Sequence, residues 1–162
     1  MTIQPSEIKW YRSAAVSDGG ANGGRMGSTR ITSGVKNNVF PDVPSSELTS
    51  GLTRYRKLFA KVANDEDLPL GGARLFLTAL TTGDDRVTLF PGTMTDVQSG
   101  LASPREYDAA VLSADVDAGD TSFTVTLQSS AQDIFQEADT IRVSDGTNIE
   151  FFEGVSVAAS GA

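Results

Sequence analysis

Apolar residues along the chain come in short runs separated by polar turns, and most runs alternate with a period near two, as a half-buried strand requires. The first, Ile8-Lys9-Trp10-Tyr11-Arg12-Ser13-Ala14-Ala15-Val16, is aromatic-rich and predicts a strand. Regular structure is then expected to stop, because Asp18-Gly19-Gly20-Ala21-Asn22-Gly23-Gly24-Arg25-Met26-Gly27-Ser28 is too glycine-rich to hold a helix or strand cheaply. Residues 29–53 read as irregular connection, punctuated by Pro41 and Pro44, with a brief helical turn starting at Ser45-Ser46-Glu47-Leu48. The stretch around 52–63 satisfies two periods: Leu52, Tyr55, Phe59 and Val62 have helical spacing, whereas Leu58, Ala60 and Val62 alternate with Lys57, Phe59 and Lys61. A strand at about 54–63 is favoured, joined through the acidic turn Asn64-Asp65-Glu66-Asp67 to a paired strand from Ala73 to Leu80. Arg86–Phe90, stopped by Pro91-Gly92, is a third strand.

Beyond a polar stretch at 96–106 the pattern resumes. Leu112, Ala114 and Val116 alternate, Asp117-Ala118-Gly119-Asp120 forms a turn, and Phe123, Val125 and Leu127 alternate with Ser and Thr, which predicts a β-hairpin. Ser130-Ala131-Gln132-Asp133 resembles a capping box leading into one or two helical turns that carry Ile134, Phe135 and Ala138. Strands at 140–143 and 149–152 close the chain, and no apolar strand follows to cover the last edge. The expected class is all-β: β-sandwich-like modules with short strands, little helix and a long irregular Gly-rich arm at about 17–50. A break near residue 100 divides an N-terminal module, 1–100, from a small acidic module, 101–162, each short of the size at which one core stabilises itself comfortably.

Charge sharpens that division. Residues 1–100 carry 11 Lys/Arg against 10 Asp/Glu, and residues 101–162 carry 2 against 11, giving the net −8. So acidic a surface repels phosphate backbones and argues against nucleic-acid binding by the C-terminal part. It is a solvated face or the counterpart of a basic partner. None of the 162 residues is Cys or His, which excludes disulfides, thiolate and imidazole metal sites, Cys nucleophiles and Ser-His-Asp triads. No run approaches the ~20 apolar residues of a membrane span. The opening Met1-Thr2-Ile3-Gln4-Pro5 lacks the basic and apolar parts of a signal peptide, so synthesis in the cytoplasm is the expectation.

Motifs for chemistry are weak. Gly19 and Gly24 have P-loop spacing, but Arg25 and Met26 stand where Lys and Ser/Thr belong, and no helix pattern follows. Asp115, Asp117 and Asp120 have the spacing of a calcium loop, but Thr126 stands where the closing carboxylate is needed, and a hairpin turn whose Asp side chains bond local N–H groups is the favoured reading. Trp10, Tyr11, Tyr55 and Tyr107 are candidates for a sugar platform, and no carboxylate pair is marked as the acid and base of a hydrolase. No catalytic residue, cofactor or metal is expected.

Several stretches carry a resemblance. Tyr55-Arg56-Lys57-Leu58-Phe59-Ala60-Lys61-Val62-Ala63-Asn64, with the acidic turn and Ala73-Arg74-Leu75-Phe76-Leu77, resembles a segment of virion structural proteins of tailed bacteriophages. Ile8-Lys9-Trp10-Tyr11-Arg12-Ser13 and Gly83-Asp84-Asp85-Arg86-Val87 before Phe90-Pro91-Gly92 are similar to the same group, as is Asp120-Thr121-Ser122-Phe123-Thr124-Val125 followed by Ile141-Arg142-Val143-Ser144-Asp145. The resemblance implies a non-enzymatic subunit repeated in a ring of a contractile-tailed particle, at the neck (collar) or head–tail connector, with a tail or baseplate position as the other placement. The partners it implies are copies of itself and other virion proteins: portal or connector, tail terminator, sheath or tube. Contacts are then expected from Arg25, Arg30 and Lys36 in the arm, from Trp10 and Tyr11 as apolar anchors, and from the acidic face around Asp115, Asp117 and Asp120. The competing reading is a fibre-associated carbohydrate-binding β-sandwich with its aromatics exposed on one face.

Overall fold

The computed structural model describes residues 2–83, 85–128, 134–153 and 156–158. Strand β1, Ile8–Ala15, is the centre of a three-stranded antiparallel sheet, flanked by β2, Gly23–Ile31, and β3, Leu58–Val62. Directly opposed residues share a face, so Trp10, Ile31 and Ala60 lie on one side of the sheet and Tyr11, Arg30 and Phe59 on the other. A short helix α1, Ser45–Ser50, precedes β3 and ends at Gly51, whose φ of 68° closes the last turn. The remaining strands form two ribbons: β4, Ala110–Leu112, pairs with β5, Val125–Leu127, and β6, Ile141–Ser144, pairs with β7, Ile149–Phe152. The fold is all-β, and α1 is the only α-helix among the described residues.

Several expectations are corrected. The glycine-rich run does hold a strand, because its glycines sit where the pairing needs them. A Cβ at Gly27 would stand 2.9 Å from the Ser13 carbonyl oxygen, where the β1–β2 register shifts through a bulge. The long arm at 17–50 is likewise not free chain. Its second half is tied to the sheet by the Arg12 guanidinium, which donates to the Asn38 backbone and side-chain oxygens, and by Arg56, which lies 5.6 Å over the Phe40 ring. Finally, β3 pairs with β1 instead of with 73–80, a stretch without strand structure that begins just past Gly72 at φ 64°. Arg86–Phe90 shrinks to a single bridge, Leu89 to Tyr107. The expected capping box at 130–133 lies outside the described residues, and the described residues 134–138 are not helical, Ala138 being left-handed at φ 68°.

The chain divides into two units, Met1–Ala73 with Pro91–Pro104, and Arg74–Phe90 with Arg105–Ala162. The first holds the three-stranded sheet. In the second, Arg74–Phe90 joins the C-terminal ribbons through the Leu89–Tyr107 bridge, an Arg86–Asp108 ion pair at 2.6 Å and the Phe76–Phe151 ring contact at 5.7 Å. By these boundaries the first unit has nine Lys/Arg and eight Asp/Glu, a net of +1, and the second has four against thirteen, a net of −9, together the chain's −8.

Both units bury little. Among the described residues only Phe59 and Ile134 are buried apolar side chains. Leu48, Leu52, Leu75, Met94, Val111, Ile149 and Phe151 are all more than half exposed. The chain leaves 11868 Å² accessible to water, whereas a compact 17.0 kDa domain exposes about 7,700 Å², and two separate half-size domains about 9,300 Å² in all.

The β6–β7 turn is held by Asp145, whose carboxylate accepts the backbone N–H groups of Asn148 and Thr147 and the Asn148 side-chain amide. These donors pull its pKa from the ordinary 3.8 to about 2. Because the folded value is depressed, the contribution to the hairpin is complete above pH 3.8 and is lost as pH falls through about 2. Hydrogen exchange across Ile141–Phe152 should therefore lose its protection over that interval in the wild type, and Asp145→Ala should show the unprotected pattern already at neutral pH.

Candidate functional site

The backbone of the glycine loop is tied to residues 96–99. The Gly24 N–H donates to the Asp96 carbonyl at 2.7 Å, and the N–H groups of Gln98 and Ser99 donate to the carbonyls of Asn22 and Gly20 at 2.8 and 2.9 Å. Gly23 is at φ 107°, and a Cβ there would stand 2.7 Å from the Asp96 oxygen. The centre of this latch is Asn22, 2% exposed, whose side-chain amide donates to the Tyr55 carbonyl at 2.8 Å and to Gln98 Oε1 at 3.2 Å. The Lys57 ammonium donates to the Asp96 carbonyl at 3.0 Å from its position 5.3 Å over the Phe59 ring. The latch thus joins residues 19–24, 55–59 and 96–99.

An ionic cluster lies beside it. Arg56 Nη1 is 2.7 Å from Asp18 Oδ1, and Arg54 reaches Asp18 at 3.4 Å and Glu47 at 2.6 Å, with both guanidinium side chains largely buried. Hydrogen bonding from Arg56 holds the Asp18 carboxyl below its ordinary pKa. Buried Arg12 Nε, Arg56 Nε and Glu47 Oε2 have no hydrogen-bond partner among the described residues, so part of the cost of burying these charges is left uncompensated.

The residues singled out from sequence are spread over several surfaces. Trp10 and Tyr11 are half-buried and, as neighbours on β1, point to opposite faces, which takes them out of a common sugar platform. Tyr107 is stacked under Arg105 at 4.4 Å in the other unit. Arg30 is exposed on β2 directly opposite Tyr11. Arg25 is exposed, and Lys36 pairs with Asp42 at 3.5 Å in a fully solvated turn. Asp115, Asp117 and Asp120 are exposed in the β4–β5 connection, where Asp120 Oδ2 accepts the Asp117 N–H at 2.8 Å, a local turn bond. The Asn64–Asp67 cluster is closed by its own Asn64, which bonds Leu68 through both amide and carbonyl oxygen.

Sequence reasoning passed over the most informative arrangement. Lys9 of β1 stands directly opposite Lys61 of β3, on the face that carries Tyr11, Arg30 and Phe59. Among the described residues no carboxylate lies within ion-pair distance of Lys9, Lys61 or Arg30. The alternation of Lys57, Phe59 and Lys61 places cations and ring on one side of β3, but the lysine-on-lysine register follows only once β1 is known to be the partner.

No family model, curated protein or solved structure matches the chain. No helix among the described residues is long and apolar enough to cross a membrane.

Asn22→Ala removes the amide bonds to the Tyr55 carbonyl, which keeps Arg56 Nη1 at 2.7 Å, and to Gln98 Oε1, and should destabilise the first unit by about 1–2 kcal/mol in urea denaturation. Gly23→Ala should destabilise it at least as much, since it adds both positive-φ strain and a backbone clash.

Proposed function

We propose that the chain is a non-enzymatic structural subunit of a tailed-phage virion, a ring-forming protein of the neck or head–tail connection that joins protein layers. Its location in this reading is the virion, and its partners are copies of itself and the adjoining virion proteins. The observation that carries the reading is the large exposed surface: the chain keeps far more area in water than a self-sufficient domain of its mass, with apolar side chains distributed over it. The short ribbons β4–β5 and β6–β7 add open strand edges, and two-stranded ribbons are marginal in water until further strands or layers join them. The sequence resemblance to virion proteins supplies the particle; the surface supplies the reason for assembly. Subunits with unlike ends associate head-to-tail and close into rings when the rotation allows.

Electron microscopy of the purified chain at high concentration should show closed rings of uniform diameter, and immunogold labelling should place the chain at the head–tail junction of intact particles. A chain that stays monomeric at every concentration and is absent from the particle would refute the proposal.

A further inference from the structure

The cationic face of the N-terminal sheet fits a partner of opposite charge, and the structure points to which one. Directly opposed like charges on a sheet face destabilise it, yet Lys9 and Lys61 are so opposed, with Arg30 of β2 on the same face opposite Tyr11 and no described carboxylate within ion-pair distance. Tyr11 is half-buried between these three cations, so the patch has an aromatic centre and a charged rim, the composition of an interface. The second unit has the complementary character. Its net charge is −9, and Arg74, Arg86 and Arg105 are already paired with Glu153, Asp108 and Asp139. The exposed Asp115 and Asp117 at the β4–β5 connection have no ion pair among the described residues.

We infer that the Lys9–Lys61–Arg30 face of one copy receives the acidic β4–β5 connection of a second copy, so that the contact repeats head-to-tail. This inference rests on the assembly reading and names the surfaces that assembly uses. In the complex, the carboxylates of Asp115 and Asp117 lie over the opposed ammonium groups and relieve their mutual repulsion, and the contact weakens with salt as exposed attractions do.

The test is a charge exchange in the full chain. Lys9→Glu with Lys61→Glu makes one variant, and Asp115→Lys with Asp117→Lys makes the other. Asp120 is left in place because it holds the turn. The first variant keeps a like-charge pair across β1–β3, so its folding balance matches the wild type, and circular dichroism verifies both. Each variant alone should self-associate about tenfold or more weakly than the wild type in sedimentation equilibrium. An equimolar mixture should recover association, because each altered surface then meets one of opposite sign. Wild-type association with both variants unaffected, or a mixture no stronger than either variant, overturns the inference and leaves the assembly reading standing. A wild-type chain that does not self-associate removes both.

Discussion

Few apolar side chains are withdrawn from water in this fold. Apolar burial at roughly 25 cal/mol per Å² is the main term set against backbone entropy, and among the described residues only Phe59 and Ile134 supply it as buried apolar side chains, the other apolar groups being half-buried or exposed. What holds the first unit is therefore backbone and charge: the latch around Asn22, the bulged pairing of β1 with β2, and guanidinium groups that bridge sheet, helix and loop. Such interactions fix geometry well but contribute about 1 kcal/mol each after desolvation. On the assembly reading proposed above, surfaces covered by other chains supply the remaining stability.

Much of the architecture was legible in the sequence, and the failures share a cause. Strands β1, β6 and β7 announced themselves by alternation and bounding turns, because period two is a property of a single segment, whereas β3 also fitted a helical period. Pairing is not. Nothing in Leu58–Val62 says that it lies beside Ile8–Arg12 and not beside Ala73–Leu80, since register is decided by contacts over more than forty residues. The glycine run was misread for the same reason. Its entropic cost is a local quantity, whereas its benefit, close approach to the Ser13 and Asp96 carbonyls, exists only after the chain has returned.

The candidate surfaces divide along the same line. The charge contrast between the two ends of the chain could be counted directly, and it survives in the units of the fold as +1 against −9. Lys9, Lys61 and the buried arginines escaped notice because their meaning lies in what stands opposite them. Trp10 and Tyr11 looked like one aromatic pair in sequence, yet adjacency on a strand sends them to opposite faces. The sheet consequently offers two different surfaces, one with Trp10, Ile31 and Ala60 and one with Tyr11 among cations, which suits a subunit with neighbours on more than one side.

The most direct measurement of the central claim is the dependence of thermal unfolding on protein concentration, followed by scanning calorimetry. If the native structure is completed by association, Tm rises with concentration, and the dilute chain unfolds with a heat-capacity change well below that of a 162-residue domain. A Tm independent of concentration, with the full heat-capacity change of a self-contained domain, would contradict the account.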